Sequence, residues 1–189
     1  MSSWLRTRLS LCIKAPAGWC ISARLVGICG PLTAHCALRA ALRETPDVIV
    51  VGELRDALSV QLALEAAETG LLVLATCHAA DAANSVVRIL QLIPVAQRTF
   101  AREVLAQTLI GAVFQCLFPT PTAGRAAAFE LLQATPAVRN LIREDKPVHI
   151  RSAMQMGRAS GMRTMQQALE DLVDAGILAK NCVPEAGLG

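Results

Sequence analysis

Apolar positions in this chain fall into two regimes. Residues 1–36 hold neither a 3.6-residue nor a two-residue period for any distance, whereas from about Ala37 short apolar runs alternate with longer stretches of helical period. A short helix is predicted around Ala37 to Arg43, and after Pro46-Asp47 the continuous run Val48-Ile49-Val50-Val51 predicts a buried strand. Asp56 is placed to cap a helix from Ala57 to Thr69, which Gly70 ends. Leu71 to Thr76 predicts a second buried strand, closed by the polar pair Cys77-His78. Apolar strands of this kind alternating with helices make the class α/β.

Further along, Asp81 is placed to cap a helix through Ile93, stopped by Pro94, and a longer helix is predicted from about Ala96 to Val113. Phe114 to Phe118 and Arg125 to Leu132 flank the segment Pro119 to Gly124 and predict two strands joined by a turn. Thr135-Pro136 starts a helix over Ala137 to Glu144, with a capping side chain followed by proline at the first helical position. Helical stretches follow at Val148 to Met156 and at Thr164 to Ala175, the latter ended by Gly176, and no internal repeat is present.

Val104 to Gly124 carries no charge, yet it is not read as a membrane span. Pro119 and Pro121 interrupt it, and what remains would reach only about 22 Å as a helix against the ~30 Å of a bilayer core. Gln107 and Gln115 lie inside the segment, so a buried helix running into a strand is the expectation, and no transmembrane segment is expected.

With 53% of its 189 residues apolar, the chain is long enough for one globular core. The net charge of +3 comes largely from Arg6, Arg8, Lys14 and Arg24, which share residues 1–36 with no acid. Basic residues do not gather on one face and aromatics make up only 3% of the chain, so a nucleic-acid surface is excluded. The cysteines, at 12, 20, 29, 36, 77, 116 and 182, are odd in number and include no C-x-x-C pair, which argues against a zinc ribbon or a closed disulfide framework and for a reducing compartment. Leu9 to Ile13 after Arg6 and Arg8 faintly resembles a secretory signal, but Lys14 ends the apolar run too early.

Chemistry is concentrated in the string from Leu42 to Asp56, LRETPDVIVVGELRD. An apolar strand there delivers a carboxylate, Glu53, to its C-terminal end, where open α/β sheets bind ligands and a glutamate can polarise a water for attack on phosphate. This string resembles the signature of the type II secretion and type IV pilus ATPases. The resemblance makes the segment, with Asp47 and Gly52, a Walker B element. It makes Glu53 the residue that aligns the lytic water and helps hold magnesium, and Arg55 and Asp56 the pair that follows it in the family.

Leu71 to His78 is similar to the family's histidine box, in which a strand brings a histidine beside the γ-phosphate. On a strand parallel to that of Glu53, His78 would stand at the same sheet edge. The family usually continues with threonine and a small polar residue, where this chain has Ala79-Ala80. Reading Cys77-His78 as a thiol and its base fails, because neighbours on an extended chain face opposite ways. The stretch His78 to Pro94, and then Gly124-Arg125 and Glu130, continue the likeness. Type II secretion ATPases usually insert a four-cysteine zinc element in this region, and Cys116 has no companions for one. Val138, Arg139, Asn140, Leu141, Ile142, Arg143 and Glu144 resemble the helical motif of pilus retraction motors. The helix is amphipathic, with Val138, Leu141 and Ile142 on its apolar face. Gly161-Met162-Arg163-Thr164 and the last helix extend the similarity to about Leu178.

No G-x-x-x-x-G-K-S/T occurs in the sequence; the lysines are Lys14, Lys146 and Lys180, and none follows a glycine. The expected fold is therefore a partial RecA-like P-loop NTPase core, its P-loop strand missing, with a helical C-terminal portion. The expected divisions are a non-family segment 1–36, a partial ATPase domain 37–135, a helical portion 136–180 with the retraction motif, and a tail 181–189. The resemblance implies a C-terminal fragment of a hexameric ATPase that powers type IV pilus retraction and twitching motility, non-catalytic alone. The alternatives are a working motor whose N-terminal half is absent from this sequence, and a non-catalytic regulator of intact rings. ATP and magnesium are implied for intact relatives, while no cofactor or metal is expected for this chain alone. The implied partners are identical subunits or those of an intact paralogue, and the inner-membrane platform protein of the pilus machine. The implied location is cytoplasmic, at the inner face of the cytoplasmic membrane.

Overall fold

Local capping accounts for most of the helix starts. Asp56 accepts from the Ser59 amide at 2.9 Å to open α1 (Ala57–Glu68), and Asp81 accepts from the Asn84 amide at 2.6 Å to open α2 (Ala82–Leu92). The computed structural model describes the backbone of residues 9–13 together with residues 46–121 and 124–179. The helix expected at Ala37 to Arg43 lies outside the described residues.

Five strands form one sheet: β1 (Leu9–Ile13), β2 (Val48–Val51), β3 (Leu72–Cys77), β4 (Leu109–Pro119) and β5 (Arg125–Gln133), in the spatial order β2-β3-β1-β4-β5. β2 and β3 are parallel, with Val48 opposite Leu72 and Val51 opposite Ala75. β4 and β5 form an antiparallel hairpin in which Pro119 faces Arg125 and Gly111 faces Gln133. β1 lies antiparallel to both β3 and β4. No strand was expected in residues 1–36. Its five-residue run carries no periodic signal of its own, and partners 60 to 68 residues away on β3 give it its place.

Helices α1, α2 and α3 (Arg98–Thr108), with α4 (Pro136–Arg143), α5 (Ile150–Met156) and α6 (Met165–Asp174), complete the described chain. The first two helices pack on β3, α2 reaches β4 and β5, α4 lies on α3 and α5, and α6 lies on β5. Core residues come from alternate strand positions, including Ile49, Val73, Ala75, Ala112, Phe114, Ala128 and Leu132. The intervening positions are open, with Leu74 37%, Leu117 41% and Phe129 41% exposed. The strands read as buried are thus buried on one face, because the described helices cover one face of the sheet.

The helix expected over Ala96 to Val113 stops at Thr108, and the chain becomes strand at Leu109. Uniform apolarity does not mark this switch; side-chain capping and strand pairing make it. The Arg139 guanidinium donates to the carbonyls of Ala106 (2.6 Å), Gln107 (2.5 Å) and Leu109 (2.8 Å), gathering the acceptors that the end of α3 leaves free. Two residues on, the chain runs so close to β5 that a Cβ at Gly111 would stand 2.5 Å from the Leu132 carbonyl oxygen. The stretch expected as helix from Val148 opens as a 3₁₀ turn, Pro147–His149, before α5. No described helix is long and apolar enough to cross a membrane.

Candidate functional site

β2 ends at Val51, and the chain turns through Gly52, Glu53 and Leu54 against the end of β3. The Leu54 amide donates to the Thr76 carbonyl at 2.8 Å, and the Thr76 hydroxyl donates to the Gly52 carbonyl. Leu54 is buried, so the turn is anchored from below while Glu53 keeps its side chain at the rim, 21% exposed. Apart from its own chain neighbours, nothing lies within 4 Å of the place a Gly52 Cβ would occupy, so the turn is open at Gly52.

Parallel pairing of β2 with β3 brings His78 to the same edge. Its Nε2 lies 3.0 Å from Glu53 Oε1, and an Arg55 guanidinium nitrogen lies 2.5 Å from Glu53 Oε2. The arginine is exposed and the carboxylate holds its pKa above the usual value, chiefly through their hydrogen bond. The carboxylate is thereby oriented by one partner on its own loop and one on the neighbouring strand. Such a carboxylate is equipped to take a hydrogen bond from water on releasing one of these contacts.

Asp56 is near in sequence but serves α1, accepting from the Ser59 amide and, at 3.0 Å, from the Ser59 hydroxyl. Asp47 does not join the group. It precedes β2 at the far end of the strand, exposed, with its carbonyl accepting from the Leu72 amide at 3.1 Å. Cys77 points away from His78 into the core, and burial pushes its thiol up to about 11, with Arg88 lowering it and Glu53 raising it. It stays a neutral thiol at physiological pH.

The motif on α4 packs against α3 and α5, away from the β2–β3 edge in its element contacts. Val138 and Ile142 are buried, Leu141 is half-buried, and Asn140, Arg143 and Glu144 are exposed. Glu144 lies just past the helix as its C-cap. Arg139, outside the apolar face expected for this helix, closes α3 as described above and also donates to the Ala134 carbonyl at 2.8 Å. Burial, then the nearby Arg143, lower its pKa. Arg143 reaches Glu103 at 3.4 Å and Asn140 at 2.9 Å, while Arg102 reaches Asp145 at 2.8 Å.

Sequence reasoning gave Glu130 no structural role. It is 4% exposed on the core side of β5 and accepts from the Ala82 amide at 2.9 Å. The available signal was its register: it falls between Ala128 and Leu132, both inward.

A magnesium nucleotide does not fit the described residues as a set. They contain no cluster of three His, Cys, Asp or Glu side chains able to hold a metal, and the phosphate-cradling motif is absent from the sequence. Lys146 is engaged with Glu144 at 2.8 Å beyond α4. The edge supplies Glu53 and His78 but no phosphate cradle.

Comparison with known proteins places this edge in context. A twitching motility protein of Neisseria gonorrhoeae is 49% identical over 151 residues, covering 79% of this chain and 39% of that protein. The type IV pilus retraction ATPase PilT of Pseudomonas aeruginosa is 44% identical over 144 residues, covering 76% of this chain and 42% of the relative. The crystal structure of the pilus retraction motor PilT with bound ADP superposes with a TM-score of 0.69 at 42% identity, over 80% of this chain and 44% of the motor. The chain thus spans less than half the length of these relatives. The model of the type II/IV secretion system proteins matches residues 27–183, most of the sequence, and the chain belongs to that family.

Proposed function

We propose that this chain is the C-terminal part of a type IV pilus retraction ATPase, with residues 37–135 as part of its RecA-like core and 136–180 as its helical portion. The observation that carries the reading is the 3.0 Å contact between Glu53 and His78 where parallel strands end together. In the complete motor Glu53 aligns and polarises the attacking water, and His78 holds the carboxylate through Oε1. Arg55 balances its charge, and Gly52 leaves room beside it. The α4 motif serves retraction rather than hydrolysis, since its arginine fastens α3 and its packing lies with the helices. Subunits of this kind assemble as a hexameric ring, or join the ring of an intact paralogue, at the cytoplasmic base of the pilus machine, where they meet its inner-membrane platform protein. Alone, the chain neither binds nor hydrolyses ATP.

The test joins this chain to the upstream part of a retraction ATPase relative and compares Glu53 with Glu53→Gln. Turnover is expected to fall by at least about a hundredfold while nucleotide affinity is kept, because the carboxylate acts on water. Unchanged ATPase activity would remove the catalytic assignment.

A further inference from the structure

Among the described residues Glu130 is the only buried charged side chain. Packing gives no reason for a carboxylate between Ala128 and Leu132, and desolvation disfavours its charge. One backbone donor, the Ala82 amide, reaches it at 2.9 Å, and the Met165 amide also favours its charge. These are the first residues of α2 and α6, where a helix leaves amides without internal partners and its dipole is positive. Glu130 therefore holds the start of α2 directly and acts electrostatically on the start of α6.

Each start leads to a motif. Immediately before Ala82 lie Ala79, Ala80 and Asp81, and before them His78. Immediately before Met165 lies Gly161-Met162-Arg163-Thr164. Arg163 exchanges backbone hydrogen bonds of 2.7 and 2.9 Å with Leu131, the neighbour of Glu130, and Thr164 caps α6 through a reciprocal contact with Gln167. The path from α6 to His78 thus runs through the backbone pairing of Arg163 with Leu131 and then the buried, charge-assisted contact of Glu130 with the Ala82 amide.

We infer that Glu130 is a positioning residue for His78. By holding the first turn of α2 it sets where residues 78–81 deliver the imidazole against Glu53, and the pairing of its neighbour Leu131 with Arg163 ties that placement to the segment that leads into α6. As a role in hydrolysis this rests on the reading of Glu53 and His78 above; as a mechanical link it stands apart from it.

The test uses the full 189-residue chain with Glu130→Ala and Glu130→Gln. In the alanine variant, amide hydrogen exchange is expected to quicken by about tenfold or more in 79–86, as loss of a charged acceptor from the buried Ala82 amide implies, and by less in 163–167, with α4 unchanged. The glutamine variant keeps one acceptor oxygen and is expected to restore protection to at least one of the two segments. The Nε2 nitrogen resonance of His78 is expected to move on Glu53→Gln in the parent chain and to stay put in the alanine background. Equal movement in both backgrounds overturns the inference, as does a uniform rise in exchange across all helices. Should the alanine variant not fold, the glutamine variant is read by the same two measurements, with loss of protection in one segment and a reduced His78 response expected, and no change in either overturning it. Retained turnover in Glu53→Gln of the joined protein would sink the catalytic reading and leave these results untouched.

Discussion

His78 Nε2 lies 3.0 Å from Glu53 Oε1 across the ends of two adjacent parallel strands. Each residue lies just beyond its strand, His78 after β3 and Glu53 after β2, so the contact exists only because the strands share direction and register. In the function proposed above, the pair is the water-directing half of a phosphohydrolase site. In this class most of the phosphate-binding energy comes from loop amides, a lysine and magnesium. For the chain as written, titration with a fluorescent ATP analogue and magnesium is therefore expected to show no saturable binding up to roughly the millimolar range. Saturable micromolar binding would contradict this and demand a second nucleotide site.

Arg139 closes the end of α3 with three carbonyl contacts and holds Ala134 with a fourth. Removing it leaves those acceptors without their charged donor, so Arg139→Ala is expected to cost about 2–3 kcal/mol in urea unfolding. Arg139→Lys should recover only part of this, because an ammonium lacks the planar fork that spans several carbonyls. A loss within experimental error of zero would mean that solvent replaces the guanidinium without cost.

Two apolar residues of the same helix separate folding from function. Ile142 is 2% exposed whereas Leu141 is half-buried. A charge at Ile142 goes into the core, so Ile142→Asp is expected to unfold the chain, while Leu141→Asp folds. In the protein joined to its upstream part, Leu141→Asp should then reduce motility more than ATP turnover. Equal loss of both would make the helix simply part of the core.

Glu130 gives stability a dependence on pH. Burial raises its pKa above the ordinary 4.5, Asp81 pushes the same way, and the Ala82 and Met165 amides and Arg151 oppose them. The folded state therefore binds the proton more tightly than the unfolded chain. The contribution is complete below the unfolded value and is lost as pH rises through the folded one. Relative to Glu130→Gln, which does not titrate, the parent chain should lose unfolding free energy as pH rises above the ordinary 4.5. A parent-minus-variant difference that is flat with pH, or that grows with it, would contradict the raised value.

Much of the site was legible because its signals are local. Asp56, Asp81 and Thr135 announce helix starts through their own side chains. The run ending in Glu53 and the run ending in His78 mark two strand ends, and the structure brings them together. Asp47 belongs to the same motif yet sits at the opposite end of β2, since a strand separates its ends in space however close they are in sequence.

By itself the sequence determined the α/β class, nearly all the helix starts, the parallel pair and the identity of the two residues at its edge. Capping, turn chemistry and periodicity act over a few residues and can be read in order. Only the tertiary structure decided that α3 yields to strand at Leu109, that Leu9–Ile13 enters the sheet, and that Glu130 holds the start of α2. Each of these depends on partners tens of residues away: a guanidinium that collects carbonyls, strands that supply the ladder, and amides that offset the burial of a charge.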